Sequence, residues 1–271
     1  MSEPILVTGG TGTLGRLVVA QLREAGRNVR VLSRHKGEGE AGVDFVAADL
    51  ATGAGVEAAV AGVEVIVHCA GARVGDDETT RRLVQVASKA GVGHLVYISV
   101  VGAERIPVRS RIDRMMFGYF ESKLAAEGVV ADSGIPWTTL RATQFQQSFV
   151  SVARGMARLP VIPVPSGFQF QPVDAREIAA RLRELALGDP AGLVPEFGGP
   201  EVLGMGELLR IYLRATHRHR AMVSMPTMGG AARAVRAGAN LTRDHATGQT
   251  RWEDFVSERV GPSGERTRGT A

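Results

Sequence analysis

Tyr119 and Lys123 stand four residues apart in a chain that holds three tyrosines in all. Lysine is as scarce: of the 32 lysine and arginine residues only Lys36, Lys89 and Lys123 are lysine. On a helix, residues i and i+4 share a face. A lysine ammonium beside a phenol lowers the phenol's pKa, and it can also hold a sugar hydroxyl. The phenol can give a proton to a substrate atom or take one away. The pair reads as candidate catalytic machinery, with Tyr119 as general acid against the substrate and Lys123 holding a ribose.

A second pattern lies upstream, in the run VTGGTGTLGR at residues 7–16. Gly10, Gly12 and Gly15 give G-x-G-x-x-G, and Gly9, Gly12 and Gly15 give G-x-x-G-x-x-G. Glycines at this spacing let a chain leave a strand sharply and let bare backbone approach a pyrophosphate. Free N–H groups at the following helix start, around Thr11, Thr13 and Leu14, then meet the anion. The run follows an apolar strand, Ile5-Leu6-Val7, and opens an amphipathic helix, which is the context the pattern requires.

The other contacts of a dinucleotide can be placed in order. The second strand ends Leu32-Ser33-Arg34-His35-Lys36, with no acid before Glu38. A site for NAD(H) places a carboxylate there for the ribose 2′-hydroxyl. Ser33 and Arg34 instead suit a 2′-phosphate, which points to NADP(H). Asp49-Leu50 follows the third strand, where Asp49 either meets the adenine amino group or caps the next helix. Cys69-Ala70-Gly71-Ala72 ends the fourth strand with small residues that let the cofactor pass; Cys69 itself reads as an inert thiol. Ser99 closes the fifth strand and lines the cofactor. Ala142, Thr143 and Phe145 follow the sixth strand beside the nicotinamide, with Gln144 and Gln146 facing the substrate crevice. Phe168, with Phe170, Met115, Met116, Phe117 and Phe149, could wall an apolar pocket. Asp174 begins a D-x-x-E capping box and reads as structural.

These residues need a scaffold, and the first half of the chain supplies one. Strands at 29–32, 44–46, 63–69, 94–99 and 137–141 alternate with helices at 54–61, 78–90 and 112–132. Such alternation predicts an α/β fold: a doubly wound parallel sheet, of Rossmann type, covered on both faces. After Ala142 the rhythm breaks at Pro160, Pro163, Pro165 and Pro172. Helices are expected at 174–187, 205–216 and 228–237. The expected organisation is a dinucleotide-binding unit over 1–145, a substrate-binding cap over 146–260 packed against it, and a flexible tail over 261–271.

Composition bounds the rest. At 271 residues with 44% hydrophobic and 22% charged, the chain is globular. One cysteine excludes an internal disulfide and fits a reducing compartment, so a cytoplasmic location is expected. The densest basic cluster, RATHRHR at 214–220, reads as a solvated helix end rather than a nucleic-acid patch. No His, Cys and carboxylate set has metal-ligand spacing, so no metal is expected. The apolar runs are strand-sized and too short for a membrane span.

TGGTGTLG, the Ala-Asp-Leu at 48–50, the CAGA at 69–72 and YISVVG at 97–102 resemble the atypical short-chain dehydrogenase/reductases. GIPWTTLRATQF at 134–145, QPVDAREIA at 171–179 and RWEDF at 251–255 resemble their NmrA-like and isoflavone-reductase-like branch. The resemblance covers nearly the whole chain. It implies a monomeric or homodimeric, NADP(H)-dependent oxidoreductase that passes hydride to a carbonyl or conjugated double bond of a small, fairly apolar substrate. In the extended enzymes a Ser or Thr two positions beyond Ser99 orients the substrate; Val101 stands there. Because the branch also holds members that only bind the dinucleotide, an NADP(H)-sensing regulator is the alternative, and a sugar-nucleotide epimerase a weaker one.

Overall fold

The structure, a computed structural model, describes residues 3–34, 42–71 and 75–260. In chain order the elements begin β1 (Ile5–Thr8), α1 (Thr13–Glu24), β2 (Val29–Ser33), β3 (Val43–Ala47), α2 (Val56–Val60) and β4 (Val65–His68). There follow α3 (Asp76–Lys89), β5 (His94–Val100), α4 (Arg111–Ala131), β6 (Trp137–Ala142), α5 (Gln146–Met156), β7 (Val161–Pro165) and β8 (Gln169–Phe170). The chain continues through α6 (Ala175–Leu187), β9 (Gly192–Leu193), β10 (Leu203–Gly204), α7 (Met205–Ala215), β11 (Ala221–Met225), α8 (Gly230–Arg236) and α9 (Trp252–Val260).

Seven strands form one parallel sheet in the order β3-β2-β1-β4-β5-β6-β9. The chain winds outward from β1 in one direction and returns at β4 to wind in the other. That reversal leaves a crevice at the carboxyl ends of β1 and β4, the place where open α/β sheets bind ligands. One face is buried under α1 and α6 through Val18, Leu22, Ile178 and Leu182. The other is buried under α2, α3 and α4 through Val60, Leu83, Ala126 and Val130. Both faces being covered explains why the central strands read as continuous apolar runs such as Val65-Ile66-Val67.

Beyond Ala142 the structure departs from the sequence reading. Residues 146–156 form α5, a three-turn amphipathic helix for which the sequence analysis gave no element. Two elements from beyond residue 145 return to the first half, α6 to the sheet face and β9 to its edge. A third core, around Phe149, Leu209, Trp252 and Phe255, joins α5, α7 and α9 into the cap. β7 carries Pro163 and Pro165 yet pairs in parallel with β11; the pair stands apart as a two-stranded sheet, where a missing N–H is tolerated. His35, Lys36, Ala72 and the 261–271 tail lie outside the described residues. Among the described residues no helix is long and apolar enough to cross a membrane.

Candidate functional site

The turn after β1 is built as the glycine spacing predicts. Gly9 adopts φ +66°, and a Cβ there would come within 2.7 Å of Ala70 N. A Cβ on Gly15 would run into the Gly9 carbonyl. Gly12 N donates to Gly9 O at 2.9 Å and closes the turn. Gly12 itself is extended, at φ −80° and ψ 175°, and caps α1 without a side-chain hydrogen bond. The N–H groups of the first turn, from Thr13 to Gly15, therefore have no intrahelical acceptor and no side-chain cap. Thr11, Gly12 and Thr13 are exposed, and Leu14 and Gly15 are buried.

A cleft of ≈ 450 Å3 opens above this turn. Ten of the expected cofactor residues line it: Gly9, Thr11, Gly12, Ser33, Arg34, Asp49, Leu50, Cys69, Ala70 and Gly71. Leu32, Ala48, Ala51 and Thr79 line it too and were not singled out in the sequence. Asp49 accepts a hydrogen bond from Ala51 N at 2.8 Å across a tight turn. It does not cap α2, whose N-cap is Gly55. Cys69 stands half-buried at the wall. Burial pushes its thiol up to about 12, against the pull of the nearby Lys123 charge, so it stays protonated and unreactive.

Two orphaned groups lie beyond the cleft's inner end. Ser99 Oγ, at the end of β5, is buried without a hydrogen-bond partner, and so are both polar atoms of the Gln144 amide. Unmade buried hydrogen bonds cost about 1–3 kcal/mol each, a cost a bound polar ligand removes. Ala142 and Thr143 are buried beside them, and Phe145 is half-buried; Thr143 Oγ1 accepts from Gly199 N at 3.3 Å. The glycine cradle, the uncapped helix start and the unpaired Ser99 and Gln144 together fit a dinucleotide.

Lys123 is placed otherwise than expected. Its side chain is 3% exposed and ion-pairs with Asp76 Oδ2 at 3.0 Å. Nζ also donates to Tyr97 Oη at 3.1 Å and to Ile98 O at 3.1 Å. An ammonium has three protons, so none remains for a ribose in this arrangement. Tyr97 in turn donates to Asp76 Oδ2 at 2.8 Å. Burial and the neighbouring Asp76 charge raise the Tyr97 phenol well above its ordinary range, so it stays a donor. This cluster underlies the cleft, since a Cβ added to Gly71 would sit 3.3 Å from Lys123 Nζ.

His68 stacks on Tyr97 with ring centroids 5.4 Å apart. Ala70 N donates to Thr8 Oγ1, which lies 2.6 Å from His68 Nδ1. Thr80 Oγ1 donates to Asp76 O and lies 3.1 Å from His68 Nε2. The two hydroxyls assign a neutral imidazole with its proton on Nε2. Burial holds its pKa down to about 4, although Asp76 pulls the other way.

Tyr119 is 39% exposed on the same face of α4, with its ring centroid 5.9 Å from Lys123 Nζ. The remaining substrate-side candidates separate. Val101 is fully buried. Gln146 is also fully buried; its Nε2 donates to Thr250 O at 2.7 Å and ties the segment before α9 to the sheet, while its Oε1 is buried without a partner. Phe168 packs against Phe117 and Phe170 inside a core that joins α4 and α8. Asp174 caps α6 through Arg176 N at 2.9 Å. The box is not closed, because Glu177 Oε1 instead accepts from Gln249 N and Thr250 N.

Residues 9–154 match a family described as NAD(P)H-binding. A (4-alkanoyl-5-oxo-2,5-dihydrofuran-3-yl)methyl phosphate reductase of Streptomyces griseus is 32% identical over 180 residues, which is 65% of this chain and 60% of the relative. An uncharacterized protein of Mycobacterium tuberculosis is 28% identical over 210 residues, 75% of this chain but 22% of that one. The chain thus spans about a fifth of the mycobacterial relative and three fifths of the Streptomyces one. In shape it is similar to the Escherichia coli NADPH-dependent quinone oxidoreductase complexed with NADPH, at a TM-score of 0.77 and 19% identity over 94% of this chain and 99% of that one.

Proposed function

Since the chain belongs to the NAD(P)H-binding family and has the Rossmann fold of the NAD(P)(H)-dependent oxidoreductases, we propose that it is an NADPH-dependent reductase. Its substrate in this reading is a small, fairly apolar molecule with a carbonyl or a conjugated double bond. The observation that carries the reading is the mouth of the cleft. Ser33 and Arg34 line it, and the sequence holds no acid from Ser33 to Gly37. The similarity to the Streptomyces reductase and to the E. coli quinone oxidoreductase supports a reductase in the same sense.

NADPH, when bound, supplies the hydride. The first-turn N–H groups of α1 and the bare backbone of Gly9 and Gly12 seat the pyrophosphate. Arg34 meets the 2′-phosphate. Ser99 Oγ and the Gln144 amide find partners at the inner end. Tyr119 holds the proton that the reduced substrate atom takes up. Lys123, fixed by Asp76 and Tyr97, places a positive charge below Gly71 and near the Tyr119 ring.

A second reading, a dinucleotide sensor without catalysis, is favoured by two observations. Lys123 has all three protons engaged, and Val101 is buried where a substrate-orienting hydroxyl would stand. NADPH consumption over a panel of quinones, enones and carbonyls separates the two. Substrate-dependent oxidation supports the reductase, and tight binding without consumption of any acceptor supports the sensor.

A further inference from the structure

A second cleft, of ≈ 590 Å3, opens at the carboxyl end of α7. Arg210, Arg214, His217, Arg218, His219 and Arg220 line it over an apolar remainder that includes Leu213 and Met222. No carboxylate is among the described lining residues. None of these residues lines the dinucleotide cleft.

Basic residues gather at helix ends to serve the last carbonyls, but here those carbonyls are already served. Tyr212 O accepts from Thr216 N and Thr216 Oγ1. Leu213 O accepts from Arg218 N at 2.9 Å, and Arg214 O from His217 N at 3.0 Å. The closure depends on His217 at φ +52°, the one non-glycine residue with positive φ among those described. Glycine ordinarily fills that position, because the Cβ of another L-residue is strained there. The turn folds residues 217–220 back beside Arg210 and Arg214. Arg220 fixes it by donating to Ala157 O at 3.1 Å. Glu253 reaches Arg214 only at 3.9 Å, with both side chains more than two-thirds exposed.

We propose that this cleft is a binding site for a small organic anion bearing a phosphoryl group. Guanidinium forks match phosphate oxygens in pairs. The volume falls within the range of small-ligand sites, and Leu213 and Met222 offer a wall to the organic part. The site is independent of the reductase reading.

Inorganic pyrophosphate is the probe. It is titrated calorimetrically into protein saturated with NADPH, so that the glycine loop is filled, in parallel with Arg214→Ala/Arg218→Ala. Both replaced side chains are exposed, so matched melting curves serve as the check that the variant folds. The expected result is saturable binding that weakens with added salt and about tenfold or more in the variant. Absence of binding, or equal binding by the variant, overturns the proposal. So does a single-stranded oligonucleotide that binds far more tightly than pyrophosphate with affinity rising with length, which would make the surface a nucleic-acid contact.

Discussion

Asp76 and Lys123 form an ion pair, Oδ2 to Nζ at 3.0 Å, with side chains 1% and 3% exposed. They come from different helices, α3 and α4, and meet below the backbone of Gly71 at the edge of the dinucleotide cleft. Removing one charge strands the other in the interior. Asp76→Ala is expected to destabilise the fold by about 3–5 kcal/mol. Adding Lys123→Met to it is expected to recover a good part of that loss. Urea unfolding of the two single variants and the double variant checks this; simple additivity of the two losses contradicts a coupled pair.

Arg34 is expected to choose the cofactor. Its charge-assisted bonds to a 2′-phosphate are worth about 1.5–3 kcal/mol, or roughly tenfold to a hundredfold in affinity. Arg34→Ala should therefore weaken NADPH and leave NADH nearly unchanged. Calorimetric titration of both cofactors measures the difference directly, and equal affinities in the wild type would remove the basis for an NADPH site.

Gly12 and Gly15 should fail in different ways. A Cβ on Gly12 would stand 3.2 Å from Gly9 O, at an ordinary extended φ. Gly12→Val is therefore expected to fold, while its side chain fills the path of the pyrophosphate and abolishes NADPH binding. A Cβ on Gly15 collides with the Gly9 carbonyl itself. Gly15→Ala should lower the melting temperature even without ligand. A Gly12→Val protein that melts normally and binds NADPH would contradict the loop's role.

His68 predicts a pH dependence. Its folded pKa, about 4, lies below the unfolded value of 6.5 because burial disfavours the imidazolium. Its contribution is complete above pH 6.5 and is lost as pH falls from there toward 4. The full loss is about 3 kcal/mol by linkage. His68→Gln cannot titrate, so its stability between pH 7 and 4 should fall less steeply than that of the wild type. Parallel slopes in denaturant titrations across that range would contradict a buried neutral histidine.

The dinucleotide cleft was legible in the sequence because its contacts are local. Gly9, Gly12, Ser33, Asp49 and Gly71 each end or follow a strand, and strand ends of a doubly wound sheet converge on one crevice. Asp76 was not legible. Its acid reads as a helix N-terminal charge, and only the packing of α3 against α4 and β5 brings it to Tyr97 and Lys123. The bond from Gln146 to Thr250 was hidden for the same reason, since the two lie 104 residues apart. Prolines and short elements hid α5, β9 and the β7–β11 pair, which tertiary pairing holds in place.

Steady-state NADPH oxidation by the wild type and by Tyr119→Phe, with an acceptor from the quinone, enone and carbonyl panel, tests the reductase reading most directly. The substitution keeps the ring against Phe120 and removes only the hydroxyl. Loss of a general acid costs 10²–10⁴ in rate, on the order of 3–5 kcal/mol of barrier. The expected result is acceptor-dependent oxidation by the wild type, at least a hundredfold slower turnover by Tyr119→Phe, and unchanged NADPH affinity. Wild-type turnover by Tyr119→Phe would contradict the proton assignment, and tight NADPH binding with no acceptor consumed would contradict the reductase itself.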